Sequence, residues 1–289
     1  MAITSSTLTV RGLRFETLSA GPSQGELVLL LHGFPQSASC WRPALNGLAA
    51  AGYRAVAVTQ RGYSPGAVPE DVEAYHMREL VSDVAAFADA LQREPFHLVG
   101  HDWGGMVAWA AAARLPERVR TLTSVTTPHP AALSQALRST EQRVRMSYVA
   151  LLRAPYIPEA LFNLASGELA VRALSATGLE RSAARRDVDH LRTVGPTGAF
   201  SWYRATDRAT FAVDTVRVPT LHVWADGDPV FGRTVTEATA AFVDAPYHLL
   251  ELQGASHWVP DQHWEDVADV FADHLREHSA RVTRSSATR

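Results

Sequence analysis

The sequence predicts an α/β protein: a mostly parallel sheet flanked by helices on both faces and interrupted once by a helical insertion. Three observations carry that expectation. Apolar runs such as Leu27–Leu31 are continuous rather than alternating, as strands buried on both faces are. These runs alternate with helical patterns, the order in which parallel sheets are wound. The alternation then stops over residues 129–212, where helical patterns and Pro or Gly breaks follow one another without a convincing strand.

Residues 8–18 alternate apolar and polar, with Arg11-Gly12 placed to turn a first hairpin. Leu27–Leu31 ends in His32-Gly33-Phe34-Pro35. A helix is expected over 39–51, stopped by Gly52, then a buried strand over 53–59 leading into the loop 60–66. Residues 75–92 place Leu80, Val84, Phe87, Ala88 and Leu91 on one helical stripe. A strand over 96–99 precedes a helix over 103–115 that is apolar nearly all round, as in a three-layer core, and Pro116 ends it. Residues 119–125 form the sixth strand. After the insertion come a strand over 219–225, a helix near 234–242, a strand over 247–252 and a final helix over about 260–274. The polar tail 281–289 is expected to fray. The domain reading is therefore a core in two parts, 1–128 and 213–289, with a helical lid at 129–212 over the strand ends, where ligands bind in such sheets.

Composition bounds the function. With 289 residues, 46% hydrophobic and 20% charged, the chain is an ordinary globular protein with ample core. A net charge of −3 gives no electrostatic reason for nucleic acid or an anionic membrane as partner. No apolar run has transmembrane length, and the start lacks the basic and apolar regions of a signal peptide, so a cytoplasmic enzyme is expected. Cys40 is alone, which excludes an intrachain disulfide. All 27 basic residues are Arg; without Lys there is no Schiff-base catalysis and no phosphate-binding or kinase lysine. His274 and His278 lie four apart on the expected final helix, but no Glu completes a zinc-protease motif, and both are expected to face solvent. Neither metal nor cofactor is expected. Monomer and homodimer both stay open.

The chemistry centres on Phe96-His97-Leu98-Val99-Gly100-His101-Asp102-Trp103-Gly104-Gly105. A strand must turn sharply into a helix here, with small residues two before and two after a single carboxylate. That is the pattern of a nucleophile elbow, with Asp where Ser is more familiar. Taken alone, Asp102 is equally a helix N-cap. Two further points fall where strands end: Asp228 in Ala225-Asp226-Gly227-Asp228-Pro229, and His257 in Gly254-Ala255-Ser256-His257-Trp258. The order nucleophile, acid, histidine is the triad order on this type of sheet. Asp226 is the weaker candidate for the acid. Gly33 lets backbone approach the site and Pro35 sets its local geometry, through a cis bond or otherwise, so that the N–H groups of Phe34 and Trp103 form an oxyanion hole.

On these motifs, with Arg61-Gly62-Tyr63-Ser64, the chain resembles the α/β-hydrolase superfamily, and within it the aspartate-nucleophile branch of epoxide hydrolases and haloalkane dehalogenases. The resemblance spans about residues 27–260. It implies an ester on Asp102 that water activated by His257 hydrolyses, with His257 neutral and oriented by Asp228. Epoxide hydrolases carry two lid tyrosines that grip the epoxide oxygen; Tyr148 and Tyr203 stand at those places, with Tyr156 as the alternative to Tyr148. His32, Pro35, Trp202 and Trp258 are expected to line the substrate pocket, filled out by Phe162, Leu164 and Phe200. Dehalogenases often have Asn where this chain has Phe34, and fluoroacetate dehalogenases have Arg where it has Trp103. The resemblance therefore implies an epoxide hydrolase acting on a small apolar epoxide, with a dehalogenase using the same ester chemistry, or a silent small-molecule binder, as the alternatives.

Overall fold

The computed structural model describes residues 2–279; the tail 281–289 lies outside the described residues. Eight strands form one sheet in the order β1-β2-β4-β3-β5-β6-β7-β8. They are β1 (Thr4–Val10), β2 (Leu13–Ala20), β3 (Leu27–Leu31), β4 (Arg54–Val58), β5 (Phe96–His101), β6 (Val119–Val125), β7 (Thr220–Ala225) and β8 (Tyr247–Leu252). β1 and β2 pair antiparallel through the Arg11-Gly12 turn, and β2 pairs antiparallel with β4. From β4 through β8 every pairing is parallel. Arg11 and Gly12 both take positive φ, 50° and 77°, the backbone a tight two-residue hairpin needs.

The helices between these strands are α1 (Arg42–Ala50), α2 (Met77–Leu91) and α3 (Trp103–Arg114). Between β6 and β7 lie α4 (Pro130–Ala136), α5 (Thr140–Arg145), α6 (Tyr148–Arg153), α7 (Ile157–Asn163), α8 (Glu168–Ala176), α9 (Arg181–Val194), α10 (Thr197–Arg204) and α11 (Arg208–Phe211). After β7 come α12 (Arg233–Ala238), α13 (Val259–Gln262) and α14 (Trp264–His278). None of the described helices is long and apolar enough to cross a membrane.

Strand alternation assigns the two faces. Leu27, Leu29 and Leu31 pack with α2, α3 and the buried side of the insertion, while Val28 and Leu30 pack with Trp41, Leu45 and Leu48 around α1 and with Phe271 and Leu275 of α14. Both faces are therefore covered, which is why β3 carries no polar residue.

Two expectations need correction. The expected helix over 39–51 opens as a 3₁₀ turn, Ala38–Trp41, before α1. Pro43 has no N–H to continue an α ladder backwards. The expected final helix is two helices, broken at His263 (φ −129°, ψ 18°), and it runs on to His278. That extension turns His274 inward. It is buried, and burial lowers its pKa to about 4; His278 is half-buried beside it. The expectation that both face solvent therefore fails for His274, because α14 runs about one helical turn past it and packs against β6 and β7.

Candidate active site

β5 delivers Asp102 to the carboxyl edge of the sheet, and α3 begins at the next residue. The turn holds Asp102 at φ 51°, ψ −120°, a strained conformation for a residue with a side chain. Small neighbours make the turn possible: a Cβ on Gly100 would run into the Gly104 backbone, and one on Gly33 into the Asp102 side chain. Asp102 occupies the N-cap position of α3, yet its side chain makes no capping bond. It accepts instead from the Phe34 N–H, 2.8 Å from Oδ1. The Phe34-Pro35 bond is cis.

The loops after β7 and β8 bring up the other two residues. His257 Nδ1 is 2.8 Å from Asp228 Oδ2, and its Nε2 is 3.7 Å from Asp102 Oδ2. The second oxygen of Asp228 accepts from the N–H groups of Val230 and Phe231, at 2.6 and 3.2 Å. Asp226 is exposed and accepts from the Gly254 N–H, away from the imidazole. Of the two acids, only Asp228 reaches His257.

Electrostatics follow from this spacing. Burial works against a charge on His257, but the charge and hydrogen bond of Asp228 and the nearby Asp102 carboxylate outweigh it, pushing the imidazole up to about 10. Burial likewise opposes the Asp102 charge. The nearby His257 imidazole, then His101 and the Trp103 backbone, hold its carboxyl below the ordinary carboxylate range. Two carboxylates facing one imidazole favour its charged form while Asp102 is ionised; the neutral form that the sequence reading assigns to His257 belongs to the later step in which water is activated.

A cavity of about 50 Å³ lies over Asp102, lined by Trp103, Met106, Tyr148, Tyr203 and Phe231 among others. Tyr203 is buried, its ring edge-on to Trp103 and Phe34 at 5.2 and 5.4 Å. Tyr148 keeps 38% of its surface accessible, but its hydroxyl is enclosed; that burial, then the charges of Asp102 and Asp228, raise its pKa. Tyr156 is 84% exposed and lines neither this cavity nor the larger one beside Phe34. Phe34 also lines a second cavity of about 210 Å³, walled by Phe162, Phe200 and Leu and Ala side chains of α6, α7 and α8. Leu164 is 55% exposed and does not line it. Among the described residues no group of three or more His, Cys, Asp or Glu is arranged to hold a metal.

A family model for the alpha/beta hydrolase fold matches residues 26–263. The chain belongs to the α/β-hydrolase family. This α/β-hydrolase is 29% identical over 307 residues to epoxide hydrolase A of Mycobacterium tuberculosis, covering 91% of this chain and 94% of that protein. It is 30% identical over 282 residues to epoxide hydrolase 4 of Mus musculus, covering 93% and 78%. The crystal structure of epoxide hydrolase A from Mycobacterium thermoresistibile matches with a TM-score of 0.84 at 25% identity, covering 97% of this chain and all of that one (100%).

Four residues of this α/β-hydrolase expected in the substrate pocket, His32, Pro35, Trp202 and Trp258, line neither of these two cavities. His32 is buried beneath the Gly33 turn, its Nε2 accepting from the Gln60 N–H at 3.0 Å and its Nδ1 2.9 Å from the Gly33 carbonyl. Pro35 is buried in the same turn and lines neither cavity. Trp202 donates to the Arg61 carbonyl at 2.8 Å, tying α10 to the loop whose Arg61 is paired with buried Asp83. Trp258 donates to Thr177 at 3.1 Å and stands edge-on behind His257. For His32, Trp202 and Trp258 a ring nitrogen finds a partner away from the two cavities and carries its ring there. His101 went unnoticed in the sequence: its Nε2 is 2.9 Å from the His257 carbonyl and its Nδ1 3.0 Å from Gln36 Oε1. Nothing in its position beside Asp102 signals that reach.

Proposed function

We propose that this α/β-hydrolase opens epoxides to vicinal diols through a covalent ester on Asp102, beneath a lid formed by residues 129–212. The observation that carries the reading is a carboxylate, not a hydroxyl, at the elbow, with one oxygen held by a backbone N–H and the other facing His257. A carboxylate attacks saturated carbon and leaves an ester that an oxyanion hole can open; serine suits acyl transfer better. The similarity to proteins named epoxide hydrolases supports the same reading.

Asp102 Oδ2 attacks one epoxide carbon, and the C–O electron pair passes to the epoxide oxygen. That oxygen accepts hydrogen bonds from Tyr148 and Tyr203 and takes a proton through them from solvent. Ester formation removes the Asp102 charge, so His257 loses part of what held its proton and releases it. Neutral His257, oriented by Asp228, then takes a proton from water as hydroxide adds to Asp102 Cγ. The Phe34 and Trp103 N–H groups hold the resulting oxyanion, each worth about 3 kcal/mol. Collapse expels the diol oxygen, which takes the proton from His257. The new carboxyl ionises and returns its proton to the imidazole. The net change is epoxide plus water to diol. The carbon-lined cavity beside Phe34 supports an apolar substituent on the epoxide.

Intact-protein mass spectrometry of His257→Gln with a panel of epoxides and haloalkanes tests this. The expected adduct equals the whole epoxide mass. An adduct lacking HX contradicts the reading in favour of a dehalogenase, and no adduct with any compound contradicts it in favour of a silent binder.

A further inference from the structure

The loop that carries Asp228 is gripped from the insertion. The buried Gln142 side chain of α5 donates to the Val230 carbonyl at 2.8 Å and accepts from the Gly232 N–H at 3.4 Å. Arg145 Nη1 donates to the Asp228 carbonyl at 3.0 Å, while its Nε reaches Glu141 at 3.3 Å. A Cβ on Gly232 would lie 2.8 Å from a Glu141 carboxylate oxygen, so the helix reaches the loop only because residue 232 has no side chain.

None of these bonds touches the Asp228 carboxylate. Its Oδ1 is taken by the Val230 and Phe231 N–H groups, and its Oδ2 faces His257. Gln142 holds the peptide that carries the Phe231 donor, through its Val230 carbonyl, and the next peptide, through the Gly232 N–H. Without that grip, the turn 228–232 loses the side-chain bonds that tie its peptides to the insertion. The same short segment continues to Tyr148, over Asp102.

We propose that Gln142 is a positioning residue: it clamps the turn that aims Asp228 at His257, so that the docked lid sets the orientation of the base as well as the place of Tyr148. The inference rests on the ester reading above. The plainer account is that Gln142 only satisfies buried peptide groups. The two differ in which chemical step they touch, because Asp102 alkylation does not use Asp228 and ester breakdown does.

The test is single-turnover rapid quench with enzyme in excess over styrene oxide, read by intact-protein mass, on the parent enzyme, Gln142→Leu and Arg145→Met. Gln142→Leu is expected to slow ester breakdown about tenfold or more while alkylation changes by less than about threefold. The acid limb of ester breakdown should also move to lower pH, since a loosened Asp228 supports the imidazolium less. Arg145→Met should show a smaller shift in the same direction, and it carries the test if Gln142→Leu fails to fold. Equal loss in both steps, or breakdown with an unmoved acid limb, overturns the proposal. Absence of an ester in both parent and His257→Gln overturns the underlying reading, a distinguishable failure.

Discussion

His257 Nε2 lies 3.7 Å from Asp102 Oδ2, near enough to feel its charge and too far for a short hydrogen bond. The imidazole therefore has two charge partners but one close hydrogen-bond partner, Asp228. An NMR titration of the ring should place its pKa near about 10 in the parent enzyme. In Asp102→Asn it should fall by about a unit or more, since one of two facing negative charges is gone. An unchanged titration would show that Asp102 does not hold the resting proton.

Asp228→Asn keeps the shape of the turn but removes the charge that His257 leans on. Ester breakdown should slow by about 10²- to 10⁴-fold, as for other imidazole bases deprived of their carboxylate. Alkylation should persist, so the ester accumulates and is visible by mass. Breakdown at the parent rate would assign the acid elsewhere.

Tyr148 and Tyr203 both line the Asp102 cavity, whereas Tyr156 is out in solvent. Changing either of the first two to Phe should slow alkylation by about 10²-fold, and changing both should nearly stop it. Tyr156→Phe should have no effect on the rapid-quench alkylation rate. Parent-like alkylation in the double variant would remove the tyrosines from the reaction.

Several imidazoles far from Asp102 are held neutral. Burial lowers His97 to about 4, His222 to about 3 and His274 to about 4, from an ordinary 6.5. Below pH 6.5 the unfolded chain takes up protons that these folded sites refuse, so stability is full above that pH and falls toward pH 4. Each group costs up to ~1.4 kcal/mol per pH unit in that window. Melting temperature should drop steeply between pH 6.5 and 4, and His222→Leu, whose Nε2 has no partner, should make the slope shallower. An equal slope in that variant would place the acid sensitivity in other groups.

Most of the frame was legible because burial on both faces leaves a plain mark, the unbroken apolar run of β3. Asp102, Asp228 and His257, which the fold brings together, each follow the end of a strand, β5, β7 and β8, and that placement is what the sequence displays. Direction was not legible. Trp202 and Trp258 read as pocket aromatics, and each turned toward a partner for its indole N–H that no local pattern announces. His32 likewise turns its Nε2 to the Gln60 N–H. The grip of Gln142 on Val230 joins residues 88 positions apart, a contact only the folded chain displays.

The most direct test of an ester on Asp102 follows one oxygen atom. In a single turnover run in ¹⁸O-labelled water with enzyme in excess, the diol should carry no label, because the oxygen it gains is Asp102 Oδ2, while label appears in the Asp102 carboxylate. Label in the diol from that first turnover would mean that water attacks the epoxide directly, and the ester would have no place in the reaction.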